Sequence, residues 1–162
     1  MTESMTEDCI DDRNRPQKRL RDYPRCHART KRPPWSMENS AEGPPYRQLE
    51  AWAESRDLAV LIYKLCVRRA KTIDRGLADQ IRHAAISIPS NIAEGNGRGT
   101  NRDSLRFLYI ARGSLCELES QIDVCQRAGL IETEDSRNIT GQMTLVGRLI
   151  GCLISYRKSR PD

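Results

Sequence analysis

Residues 86–98 read ISIPSNIAEGNGR, and the fold turns on how this stretch is read. Upstream, Leu77, Ile81, Ala84, Ala85 and Ile88 fall at the spacing of one helix face. Pro89 then enters where that helix should be in mid-course. Inside a helix, proline removes an amide donor and crowds the carbonyl four residues back, here that of Ala85, at a cost of about 3 kcal/mol without compensation. Ending the helix at Pro89 would strand Ile92, which continues the stripe of Ile81, Ala85 and Ile88. Ser87 and Ser90 flank the proline with hydroxyls that can bond freed carbonyls. The expectation is a helix that bends at Pro89 and runs on to the glycines at 95, 97 and 99, which with Asn96 form a stop signal.

Asn91 and Glu94 follow the proline one turn apart, beside the apolar stripe and not on it. A glutamate near a helix C-terminus opposes the macrodipole unless a cation pairs with it, and Arg98 and Arg112 are the candidates. Gly113, in the next helix, is expected to let a neighbouring backbone or side chain approach closely. Asn91 and Glu94 are therefore read as structural, fixing the bend and the packing of this helix on the next or on another subunit.

Three further helices surround this one. The first runs from about Arg47 to Arg69, with Leu49, Trp52, Ala59 and Tyr63 on one stripe and Leu58, Leu61, Ile62 and Leu65 widening it. The third opens at Thr100 or Asn101, either of which suits an N-cap, and carries Leu108, Ala111, Leu115, Leu118, Ile122 and Cys125 at helical spacing. Phe107, Ile110 and Val124 fall outside that stripe and imply a second buried face. Gly129 is placed to end this helix. The fourth starts at 133–136, buries Ile139, Met143, Val146, Ile150 and Leu153, and ends in YRKSRPD, with cations in the last turn facing the helix dipole. Four helices joined by short connections, with no alternating strand pattern, predict an all-α, up-down-up-down antiparallel four-helix bundle.

The apolar residues are concentrated. Of 162 residues, 38% are hydrophobic, and nearly all the large aliphatics lie after residue 45. Two parts are expected: a charged, disordered tail over 1–45 and a bundle domain over 46–162. The tail holds five acids in residues 1–12, then nine Lys or Arg against one Asp in residues 13–32, and its prolines interrupt every periodic pattern. It reads as a flexible arm for RNA or DNA, as a solvated tail, or as the product of a start codon called upstream of the true one. The domain carries eighteen basic and fourteen acidic residues from 46 onward, a net +4 that permits phosphate contact without requiring it.

Six cysteines stand at 9, 26, 66, 116, 125 and 152, none of them spaced as a CxxC pair. Cys26-His27 is a poor start for a tetrahedral zinc site. Most of the others lie in apolar helical segments, where free Cys behaves as a small hydrophobe. No apolar run approaches a membrane span, and a reducing cytoplasm is the expected setting. Neither a Walker-type loop nor a dinucleotide fingerprint is present, so no cofactor and no metal are expected.

The segments QIRHAAISIPSNIAEGNGR and FLYIARGSLCELESQI, with YRQLEAW and IYKL ahead of them, closely resemble the bacterial four-helix-bundle family of proteins encoded within intervening sequences of 23S rRNA genes. The resemblance extends over residues 46–158. It implies a homopentamer, a barrel with a central opening. It also implies a distant relation to the accessory protein of diversity-generating retroelements, a basic pentamer that associates with a reverse transcriptase and nucleic acid. The family signature falls here on Ser87, Pro89, Asn91, Ile92, Glu94, Gly95, Arg98, Gly113, Ser114, Glu117 and Glu119. His83 stands where a second Arg is common, and Asn96 where an aromatic is common.

Three functions remain in view. The first is a non-catalytic oligomer that binds nucleic acid, RNA foremost, through Arg98, Arg102 and Arg106, which recur every four residues across the second connection, and through Arg68 and Arg69. Against it, the same arginines could be solvated or paired within or between subunits. For Arg98 and Arg112 the ion pair is the preferred reading, given the nearby acids. The second is a scaffold for a protein partner such as a reverse transcriptase. The third, an enzyme, would rest on Asn91, Glu94 and His83 alone, and is set aside.

Overall fold

The computed structural model describes residues 45–160. The tail read over residues 1–45 lies outside them except for Pro45. A 3-10 turn (Pro45–Gln48) leads into α1 (Glu50–Arg68), followed by α2 (Arg75–Asn96), α3 (Asn101–Arg127) and α4 (Thr133–Lys158). No strand occurs among the described residues. Each helix packs on two neighbours, in the ring order α1, α2, α3, α4. The end of α1 meets the start of α4 through Arg68 and Asp135, and the end of α4 meets the α2–α3 connection through Arg157 and Asn96. The helices therefore alternate in direction.

Local chemistry sets the helix ends. Asp74 caps α2 by accepting from the Leu77 amide at 3.1 Å, and Thr100 caps α3 by accepting from the Asp103 amide at 3.1 Å. Gly129 sits at φ +69 after α3. The amide of Leu130 then reaches the Cys125 carbonyl at 2.9 Å and that of Gly129 the Gln126 carbonyl at 3.1 Å, the paired bonds of a Schellman stop.

The core is one apolar cluster fed by all four helices. Leu58, Ile62 and Leu65 from α1, Ile81, Ile88 and Ile92 from α2, Leu108, Leu118 and Ile122 from α3, and Ile139, Val146 and Ile150 from α4 are fully buried. Each such side chain contributes about 1.5–3 kcal/mol by leaving water. The stripes expected for α3 and α4 are the buried ones, with Ile154 deeper than Leu153. In α1 the stripe is rotated from the expected one. Tyr63 is exposed, with Arg82 lying 5.9 Å from its ring centroid. The second buried face expected on α3 does not form, since Ile110 and Val124 are exposed.

Helix α2 passes through Pro89 unbroken, and the surrounding turn is tied by side chains. The Ser90 hydroxyl donates to the Ile86 carbonyl at 2.9 Å. The Asn91 amide donates to the Ser87 carbonyl at 2.8 Å and to the Ser87 Oγ at 2.9 Å. Ser87 Oγ in turn meets Ser114 Oγ of α3 at 2.8 Å. Asn91 thus stands at the head of a polar chain from α2 to α3. The close approach expected at Gly113 occurs instead at Gly95. A Cβ there would stand 3.0 Å from Phe107 Cβ and 3.1 Å from the Ser104 carbonyl oxygen, whereas at Gly113 it would meet nothing within 4 Å.

Three stability effects are expected, all read by chemical denaturation. Gly95→Ala should destabilise the bundle by about 1–3 kcal/mol, because α2 and α3 must move apart to admit the methyl. Asn91→Ala should cost about 1–2 kcal/mol, because it removes the amide that holds Ser87, while Glu94→Ala, which breaks only an exposed ion pair with Arg98, should cost less than about 1 kcal/mol.

Candidate nucleic-acid interface

Alternating directions place the start of α3 against the end of α4. The sequence carries cations at both places. Arg102 and Arg106 lie one turn apart on α3, and Arg157, Lys158 and Arg160 close α4. Together they line an open groove of about 850 Å3 whose walls also include Asn101, Leu105, Tyr109 and Ile110. Five lining residues are basic and none is acidic. The groove's apolar lining comes from Leu105, Tyr109 and Ile110, the last two exposed. Arg102 and Arg106 also border a smaller hollow shared with Thr100 and Asp103.

Arg157 is the unusual member. It is 9% exposed, and among the described residues no carboxylate pairs with it. One guanidinium NH2 group donates to Asn96 Oδ1 at 3.2 Å and the other to Asn101 Oδ1 at 3.3 Å, while Nε finds no acceptor among the described residues. Asn101 also donates to the Arg160 carbonyl at 3.2 Å. Burial lowers the pKa of Arg157, Tyr156 partly opposes that shift, and Arg160 adds to it. An arginine nevertheless keeps its proton at neutral pH, so the groove holds a buried positive charge. Asn96, at 8% exposure, is itself shielded by this contact.

Two cations of the groove, Lys158 and Arg160, rest on aromatic faces, as does Arg112 outside its lining. Lys158 Nζ stands 5.6 Å and Arg112 Cζ 4.8 Å from the Tyr109 ring centroid, and Arg160 Cζ stands 4.5 Å from that of Tyr156. These contacts hold a charge in place without cancelling it. The positive end of the α3 dipole adds to the same potential.

The residues singled out from sequence divide by position. Arg102 and Arg106 join the groove. Arg98 lies nearby but pairs with Glu94 and covers Phe107 at 4.4 Å, so of its two proposed partners Glu94 takes Arg98 and not Arg112. Arg68 and Arg69 stand at the opposite end of the bundle. Arg68 meets Asp135 at 2.9 Å, and Arg69 bonds Asp135 at 3.0 Å and also Glu132, contacts that raise its pKa. They fasten the end of α1 to the first turn of α4. Glu117 accepts from Gln121 at 3.2 Å on the exposed side of α3. Arg157, Lys158 and Arg160 were legible in sequence only as dipole partners. The available signal was topological, because an antiparallel α3–α4 pair brings YRKSR beside Arg102 and Arg106.

The polar groups of α2 do not assemble into a catalytic set. Asn91 is engaged with Ser87 and Glu94 with Arg98. His83 is exposed, and at 1.5 Å rise per residue it stands about 16 Å along the axis from Glu94. Among the described residues no cluster of His, Cys, Asp or Glu is arranged to hold a metal, and no helix is long and apolar enough to cross a membrane. Cys66 and Cys125 are free and buried, and burial raises their pKa.

Comparison with known proteins agrees with this architecture. A crystal structure from Bacteroides thetaiotaomicron, described as a protein of unknown function from the S23 ribosomal protein family, is 26% identical, with a TM-score of 0.59. The match covers 64% of this chain and 97% of the other. A comparison with curated proteins gives no match. The model of the 23S rRNA-intervening sequence protein family matches residues 47–152, and the chain belongs to that family.

Proposed function

We propose that this chain is a non-catalytic homo-oligomer, a pentamer as the family resemblance implies, that acts in the cytoplasm by associating with nucleic acid, RNA foremost, through the α3–α4 groove. The observation that carries the reading is the convergence of Arg102, Arg106, Arg157, Lys158 and Arg160 on one groove with no acid in its lining. Such a surface attracts a phosphate backbone without reading sequence, and repetition around an oligomer multiplies weak contacts.

Exposed apolar residues support self-association. Val60, Tyr63 and Val67 share one face of α1, and Val67 is 71% exposed. On α3, Ile110 and Val124 share a face with Gly113, whose side is open among the described residues. A second reading, a scaffold for a protein partner such as a reverse transcriptase, draws on the same α1 face together with Ile86 of α2.

Light scattering of the purified protein, alone and with a structured RNA at low and high salt, tests the proposal. A pentamer mass that rises with RNA at low salt only is expected. A monomer mass, or an RNA response indifferent to salt, would overturn it. Arg106→Ala should also flatten the dependence of log affinity on log salt by about 0.7–0.9, the share of one phosphate contact. A pentamer that ignores RNA would favour the scaffold.

A further inference from the structure

Arg157 sets the groove apart from an ordinary basic surface. Bridging the amide oxygens of Asn96 and Asn101 requires N–H donors, which a neutral glutamine also offers. A buried guanidinium costs far more to desolvate, and that cost is repaid only by an opposite charge. The C-terminal turn of α4 supplies part of one. Among the described residues no carboxylate supplies the rest, and Nε, closed off from solvent, is without an acceptor, so the charge of the group as a whole is left uncompensated.

The shape of the site narrows the anion. Arg157 is recessed at 9% exposure, while Arg106, Lys158 and Arg160 stand at the exposed rim. Phosphates of a duplex follow a stiff convex rod, which meets a rim more readily than a recess. An unpaired strand bends, so one phosphate can enter while its neighbours stay on the rim. It also offers splayed bases, and the exposed Tyr109 and Ile110 beside Leu105 present apolar surface to receive one.

We infer that the α3–α4 groove is a binding site for unpaired nucleic acid, with one backbone phosphate held by the charge of Arg157, the start of α3 and the exposed arginines, and an adjacent base on the apolar patch of Leu105, Tyr109 and Ile110. This rests on the nucleic-acid reading above and adds strand state to it. Asn96 and Asn101 are positioning residues that aim the guanidinium. Arg157 discriminates because only a flexible backbone reaches it.

Fluorescence anisotropy at fixed low salt tests the assignment, using a labelled unpaired oligonucleotide of about 12 nucleotides and the same sequence as a duplex. The intact protein should bind the unpaired probe about tenfold more tightly than the duplex. Arg157→Lys, which keeps the charge and loses the fork, should reduce unpaired-strand affinity about tenfold and duplex affinity by a clearly smaller factor. Arg106→Ala should weaken both. Melting curves of each variant report folding, and Asn101→Ala, which frees the guanidinium without deleting it, gives the same selectivity readout if Arg157→Lys fails to fold. Equal binding of the two probes, or selectivity unchanged in the Arg157 and Asn101 variants, overturns this inference and leaves the broader reading standing. Absence of binding to either probe overturns both.

Discussion

The contact on which this architecture turns is the buried guanidinium of Arg157. It reaches from the last turn of α4 to Asn96 at the end of α2 and Asn101 at the start of α3. Three helix ends are thereby tied at one point. The short α2–α3 connection permits this, because Gly95 lets α2 lie against Ser104 and Phe107 closely enough for Asn96 to face α4. A side chain at Gly95 would push the helices apart and withdraw an acceptor from Arg157. Packing and electrostatics at this corner therefore depend on each other.

The two ends of the bundle solve the charge problem differently. At one end, Arg68 and Arg69 meet Asp135 and Glu132, and the cations are matched by acids that also favour the start of α4. At the other, Arg157, Lys158 and Arg160 gather beside Arg102 and Arg106, held by amides, aromatic rings and helix dipoles. Five cations thus line one groove at that end with no acid among its lining residues. A concave site with focused positive potential attracts anions more strongly than the same charges spread over a surface.

Much of this fold was legible from residues alone, where local physics decides. Thr100 and Gly129 marked helix ends because caps and positive φ are local properties. The passage of α2 through Pro89 followed from Ile92, which only a continuing helix can bury. What failed were questions of neighbourhood. Tyr63 and Leu58 both fit a helical stripe in α1, and only the placement of α2 and α4 turns Leu58 inward. Ile110 and Val124 are apolar enough for a core, yet no helix of this chain covers them among the described residues. Gly113 and Gly95 look alike in sequence, and the partner helix alone distinguishes them. The charges behaved likewise. Arg68 and Arg69 were indistinguishable from free cations until α4 brought Asp135 to them, and Arg157 looked like a dipole partner until α3 closed over it.

The most direct test of the role given to Arg157 is nitrogen-edited NMR of the arginine Nε–H signals in the intact protein, before and after addition of an unpaired oligonucleotide. The Arg157 signal, assigned through its loss in Arg157→Lys, should shift on addition and become slower to exchange with solvent, as a phosphate settles beside the guanidinium. An Arg157 signal that stays fixed while those of Arg102 and Arg106 move would contradict the assignment, leaving the buried cation as a structural tie and the rim as the whole of the binding surface.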